Sequence, residues 1–124
     1  MMKPIRKVLV PHDFSEHSRH ALDVAGDLAQ KYDAKLTLIH VYRPPGMAFP
    51  DGFVAAGPKA LGELLSRIDS RLAEERASAQ KEHSVPIETR AVQGLPFAEI
   101  LREASEGDFD LIVMGTHGRT GLKH

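Results

Sequence analysis

The sequence predicts an open parallel α/β sheet with helices on both faces, and two observations carry that reading. Short apolar bursts alternate with amphipathic stretches along the chain, the pattern of successive βα units. One burst, Leu36–Tyr42, is continuous and rich in β-branched residues. A strand with so little alternation suits burial on both faces, as in a parallel sheet covered by helices. At 124 residues the chain is expected to form one domain, 1–124, large enough for a single core.

Each element follows from local chemistry. Val8-Leu9-Val10 forms the first strand, stopped by Pro11. Asp13 or Ser15 caps a helix running to about Tyr32, with Ala21, Leu22, Ala25, Leu28, Ala29 and Tyr32 on one face. Leu36–Tyr42 is the second strand. Residues 43–58 then carry four prolines and three glycines and read as a long loop. Its Met47, Phe49, Phe53 and Val54 either fold over a site as a flap or pack locally on the surface, the latter being favoured.

From about Leu61 to His83, Leu61, Leu64, Leu65, Ile68 and Leu72 recur at helical spacing opposite a charged face. A strand at Ile87–Val92 follows, then a third helix with Pro96 in its first turn. Phe97, Ile100, Leu101 and Ala104 are expected inward, with Gly107 as the stop. The last strand is Leu111–Met114. Right-handed crossovers and three helices shared between two faces give the order 3-2-1-4 for the four parallel strands.

Composition narrows the function classes. Sixteen basic residues against seventeen acidic ones leave a net charge of −1, without the cationic excess that neutralises phosphates of a nucleic acid. No apolar run approaches the roughly 20 residues needed to cross a bilayer. The basic start, Met1–Lys7, leads into only a short apolar burst and is not expected to be a secretory signal. The absence of cysteine excludes disulfides, thiolate zinc sites and cysteine nucleophiles together. A cytoplasmic location is therefore expected.

Ligands of open α/β sheets bind beyond the carboxyl ends of the strands, where the strand order reverses. Here that crevice falls between Pro11-His12-Asp13-Phe14-Ser15 and Gly115–Gly121. The first loop has no glycine, so it cannot approach a pyrophosphate in the Rossmann manner. The second has three glycines in seven residues and Arg119, which suits polyphosphate. A Walker A loop is excluded by spacing, since Gly115 and Gly121 stand one step too far apart and Leu122 follows.

Together, strand-Pro-x-Asp-x-Ser, then Leu-x-His-Val, then Asp-Leu-Ile-Val-Met-Gly-Thr-His-Gly-Arg-Thr-Gly-Leu resemble the universal stress protein family over essentially the whole chain. The resemblance implies a Rossmann-like α/β sandwich and, in the nucleotide-binding branch, ATP in the crevice. That branch carries Gly, two residues, Gly, nine residues, then Gly-Ser/Thr. Gly115 and Gly118 match the first half. The second half, with the family's fifth strand and last helix, would fall beyond His124, so the domain is expected to be C-terminally incomplete.

Residue by residue, the resemblance places Asp13 near ribose and adenine, with Pro11 and His12 beside the base. Val41 becomes an apolar wall of the adenine pocket. Met114, Gly115, His117, Gly118 and Arg119 line the ribose and phosphate side. Asp13 serves equally well as a helix cap, Val41 as plain core, and His117 and Arg119 as solvated loop residues.

His12, His17 and His20 lie within nine residues and imidazole is a common metal ligand, but no paired carboxylates complete such a site, so no protein-only metal is expected. Mg²⁺ would instead arrive with the phosphates. No nucleophile elbow and no evident general base occur, so no catalytic residue is assigned. The expectation is an ATP-binding stress-response module acting through partners, as a homodimer. Its alternatives are a slow ATPase on the same site and an interaction protein that binds no nucleotide.

Overall fold

A computed structural model describes residues 4–116. Its order is β1 (Lys7–Pro11), α1 (Glu16–Tyr32), β2 (Lys35–Tyr42), β3 (Gly46–Phe49), β4 (Gly52–Ala55), α2 (Pro58–Glu82), β5 (Ile87–Gln93), α3 (Pro96–Glu106) and β6 (Leu111–Ile112). The four long-range strands make one parallel sheet in the order β5-β2-β1-β6, the 3-2-1-4 arrangement of the sequence reading. Val8 pairs with Leu36 on one side and Leu111 on the other, so β1 is central.

Alternation along the strands divides the core into two layers. Val8, Val10, Leu36 and Leu38 pack under Leu22, Ala25 and Ala29 of α1 and Ile68 and Leu72 of α2. Leu9 and Ile39 face the other way, against Ile100 and Ala104 of α3. Helices therefore cover both faces.

Helix α1 is built from its ends. Ser15 is the N-cap, accepting from Ser18 N–H, and Glu16 complements the dipole in the first turn. Asp33 closes the helix in the left-handed region at φ 57°, its N–H reaching Ala29. Helix α3 begins with Pro96 and is capped by Gly107, as its sequence indicates. Helix α2 starts three residues earlier than the periodicity suggests, with Pro58 in its first turn.

Three expectations need correction. Residues 43–58 are not structureless, because β3 and β4 pair as an antiparallel hairpin across a Pro50-Asp51 turn. Pro and Gly set that turn and its flanks as readily as they would a loop. All of the hairpin's side chains are exposed, and Met47, Phe49, Phe53 and Val54 do not line the cleft described below.

The second correction concerns α3. Ile100 is buried, but Phe97 is 72% and Leu101 59% exposed. The pair sits about 60° around the helix from the Ile100–Ala104 line. Among the described residues α3 is the only helix on its face, so no neighbour covers that flank. The third is that β6 ends at Ile112, with Val113 still donating its N–H to Leu9 and Met114 outside the ladder.

These positions separate in a stability measurement. Ile100→Ala should cost about 2–5 kcal/mol through a cavity under α3. Leu101→Ala should cost less than about 1 kcal/mol, since its side chain stays largely in water. Urea unfolding of the two variants checks this, and equal losses would place Leu101 in the core.

Candidate functional site

Strand β1 delivers its chain to a turn, Pro11–Ser15, that is locked from several directions. His12 N–H donates to Ile39 C=O at 2.8 Å, continuing the β1–β2 ladder for one more step. His40 Nδ1 lies 2.8 Å from His12 C=O, and because a carbonyl only accepts, that nitrogen carries the proton. Phe14 N–H donates to His12 Nδ1 at 3.0 Å, which makes His12 neutral with its proton on Nε2.

The reversal itself falls on Phe14, at φ 69°, a left-handed conformation unusual for a bulky residue. Its ring is buried against the His12 and His40 rings at 5.3 and 4.7 Å, with the Arg71 guanidinium 4.2 Å above it. That packing and the bond to His12 offset a backbone cost of about 1–2 kcal/mol.

Asp13 is tied into the same turn. Its Oδ1 accepts from Ser15 N–H at 3.0 Å and from the Ser18 hydroxyl at 2.7 Å, while its own N–H donates to Ser18 Oγ at 3.1 Å. The carboxylate is exposed yet fixed in direction. Ser15 is the helix cap, and Asp13 stands two residues before it as an Asx turn. Of the two candidates for the cap, the structure therefore gives it to Ser15.

Beyond the strand ends lies a cleft of about 280 Å³, near the lower end of small-molecule pockets. Pro11, His12 and Asp13 form one wall, and Met114 and Gly115 face them after β6. Val41 and Ile39 from β2 add apolar surface, with Pro96 and Ile100 of α3 closing the side. This is the crevice between β1 and β6 where the strand order reverses.

Gly115 has a steric reason. A Cβ there would stand 2.5 Å from the His17 carbonyl oxygen, so only glycine lets the segment after β6 rest on the first turn of α1. A second hollow behind it holds the exposed His17 and His20. His12, His17 and His20 do not converge, since His12 turns inward to Glu75 while the other two face this hollow.

Of the nine residues expected to contact nucleotide, Pro11, His12, Asp13, Val41, Met114 and Gly115 all line the cleft. His117, Gly118 and Arg119 lie outside the described residues. Sequence reasoning missed Ser18, Ile39, His40, Pro96 and Ile100. The i+3 spacing of Ser15 and Ser18, and the strand parity of Ile39 with Val41, were the signals available for two of these residues.

Burial is the main influence on His12, lowering its pKa below the ordinary 6.5. The Glu75 and Asp13 carboxylates pull upward, and Arg19 and His40 push further down. Glu75 Oε1 stands 3.3 Å from Nε2, close enough for Coulombic attraction but poorly aligned for a hydrogen bond.

Fold and cleft together define a Rossmann-like α/β protein with a crevice at its switch point. The universal stress protein family model matches residues 4–124, and the chain belongs to that family. A universal stress protein of Thermus aquaticus is 36% identical over 114 residues, covering 91% of this chain and 78% of that one. A crystal structure of a family member from Burkholderia pseudomallei superposes with a TM-score of 0.73 at 25% identity, over 99% of this chain and 91% of that one. A universal stress protein solved in complex with cAMP gives 0.67 at 27% identity, over 89% and 72% of the two chains.

The His12 geometry predicts a pH dependence. Its folded-state pKa lies below the unfolded value, so as pH falls the unfolded chain takes the proton first. The stabilisation from neutral His12 is complete above about pH 6.5 and is lost progressively as pH falls toward the lower folded value. Denaturant unfolding at about pH 7.5 and about pH 5.5 should show a larger loss for the wild type than for His12→Gln. Equal losses would assign the dependence to other groups.

Proposed function

We propose that this chain is an adenine-nucleotide-binding module of the stress response, with ATP in the cleft between β1 and β6. The observation that carries this reading is the composition of that cleft. Ile39, Val41 and Ile100 offer an apolar slot of the kind a purine ring fills. Asp13 offers a carboxylate whose direction is set by Ser15 and Ser18, suited to the ribose hydroxyls. The cAMP complex of a relative shows that a protein of this fold takes an adenine nucleotide, which supports the reading.

In this scheme Gly115 and, as the family resemblance implies, His117, Gly118 and Arg119 serve the ribose and phosphates, and Mg²⁺ enters with the phosphates. The module acts by binding nucleotide and engaging partners in the cytoplasm, and assigns no residue to turnover. Among the described residues no helix is long and apolar enough to cross a membrane.

Homodimer formation belongs to the same proposal. Strand β6 pairs with β1 alone among the described strands. Val113 N–H is spent on Leu9, so by strand alternation Ile112 turns its backbone polar groups to the open edge. Sedimentation across micromolar concentrations should show self-association that Val113→Lys weakens, whereas a monomer indifferent to the lysine removes this edge as the interface.

Asp13→Asn tests the nucleotide site. The amide keeps an oxygen for Ser15 and Ser18, so stability should change by less than about 0.5 kcal/mol. A charge-assisted bond to a sugar hydroxyl contributes about 1.5–3 kcal/mol, so ATP affinity should fall about tenfold or more. Calorimetric titration with ATP reads both chains, and unaltered affinity would remove Asp13 from the site. Absence of heat from the wild type would leave the interaction-protein reading standing.

A further inference from the structure

We propose that Asp23, Glu82 and His83 form a binding site for a divalent first-row transition cation, with Asp27 orienting the imidazole. The site lies at the junction of α1 and α2, on residues that the nucleotide cleft does not use. His83 ends α2, its N–H held by Ala79 C=O. Its ring packs on Gly26, where a Cβ would come within 2.5 Å of the imidazole. Glycine at that position opens a seat on α1 beside Asp23 and Asp27, which stand one turn apart at i and i+4 on the same side of the helix.

The ring is only 5% exposed, yet its hydrogen bonding is incomplete. Nε2 stands 2.9 Å from Asp23 Oδ1, while Nδ1 has no hydrogen-bond partner and faces Asp27 Oδ1 at 3.4 Å. A neutral imidazole has one N–H to share. If Nε2 holds it for Asp23, the Nδ1 lone pair points at a carboxylate oxygen, acceptor against acceptor. A cation on Nε2 resolves this, because the proton then sits on Nδ1 and is directed to Asp27. That is the carboxylate–histidine–metal arrangement in which the outer carboxylate fixes the ring.

Glu82 makes the cation more than a substitute for a proton. One ligand atom each from Asp23, Glu82 and His83 lie within 4.8 Å of one another. Donors bound at about 2.1 Å stand about 3–4 Å apart, so small shifts of the two exposed carboxylates complete the set. With Asp27 nearby, three carboxylates surround one ring, and a doubly protonated imidazole would offset only one of them. A divalent ion offsets two while leaving the ring neutral.

The donor set selects the ion class. Imidazole with carboxylates suits Zn²⁺ and its neighbours better than Mg²⁺ or Ca²⁺, which favour all-oxygen shells. A groove of about 230 Å³ between α1 and α2 reaches Asp23 and Glu82 and provides an entry path with room for water ligands.

Titrating the metal-stripped full chain with Zn²⁺, without nucleotide, should show one equivalent bound at these residues and a rise in Tm, because the ion ties α1 to α2. Co²⁺ in its place should give visible ligand-field absorption. Glu82→Gln, at an exposed position that keeps the fold, should weaken binding about tenfold or more, and Asp27→Asn about 10–100-fold. His83→Gln should abolish it. The His17→Gln/His20→Gln double variant should bind as the wild type does. No saturable equivalent, or binding indifferent to Glu82→Gln and Asp23→Asn, would overturn the site and leave His83 as an ion-paired helix terminus. Loss of binding in the His17/His20 variant would overturn it in favour of the α1 histidines.

Discussion

The cleft at the end of the sheet depends on the confinement of β1. The strand has hydrogen-bonded neighbours on both edges and helices over both faces, and Val8, Leu9 and Val10 have no exposed surface. Its side chains are therefore committed to packing, and chemistry is possible only where the chain leaves the sheet. That exit coincides with the place where β6 sits across from β2, so the crevice and the turn are two consequences of one topology. A turn under such constraint must have a unique shape. His12 supplies it by spending its backbone N–H, its carbonyl and Nδ1 on Ile39, His40 and Phe14.

That commitment bears on the kind of chemistry the cleft supports. An imidazole beside a ligand site suggests a general base, but Nδ1 of His12 is already an acceptor for the main chain and Nε2 is turned to Glu75. His40 spends Nδ1 on the His12 carbonyl. These nitrogens hold the walls of the cleft in place. Pre-set walls favour binding, since less conformational freedom is lost when a ligand arrives.

The sheet was legible in the sequence because a parallel strand buried on both faces leaves a continuous apolar run that little else produces. Leu36–Tyr42 fixed the class, and three helices on two faces fixed the order. The place of the cleft was legible too, since the switch point follows from the order and Pro11–Asp13 and Gly115 follow from the strand ends. Val41 and Met114 came only from the resemblance to the universal stress protein family. What escaped was set by tertiary context. Nothing in Gly46–Ala55 distinguishes a hairpin from a loop until the two halves pair. Phe97, Ile100, Leu101 and Ala104 form one apolar arc, and only the neighbours of α3 decide which part of it is covered.

Phe14 shows the limit most clearly. A left-handed position normally advertises itself as glycine or asparagine, and Pro11–Ser15 contains neither. The reversal is present because a buried aromatic, wedged between two histidine rings and under Arg71, recovers more in packing than the backbone loses. Three of those partners come from β2 and α2 or from the turn itself, separated widely along the chain. Local rules read the cost of a conformation correctly, but the compensation is non-local, and the turn that shapes the cleft is stable only once the sheet and α2 are assembled around it.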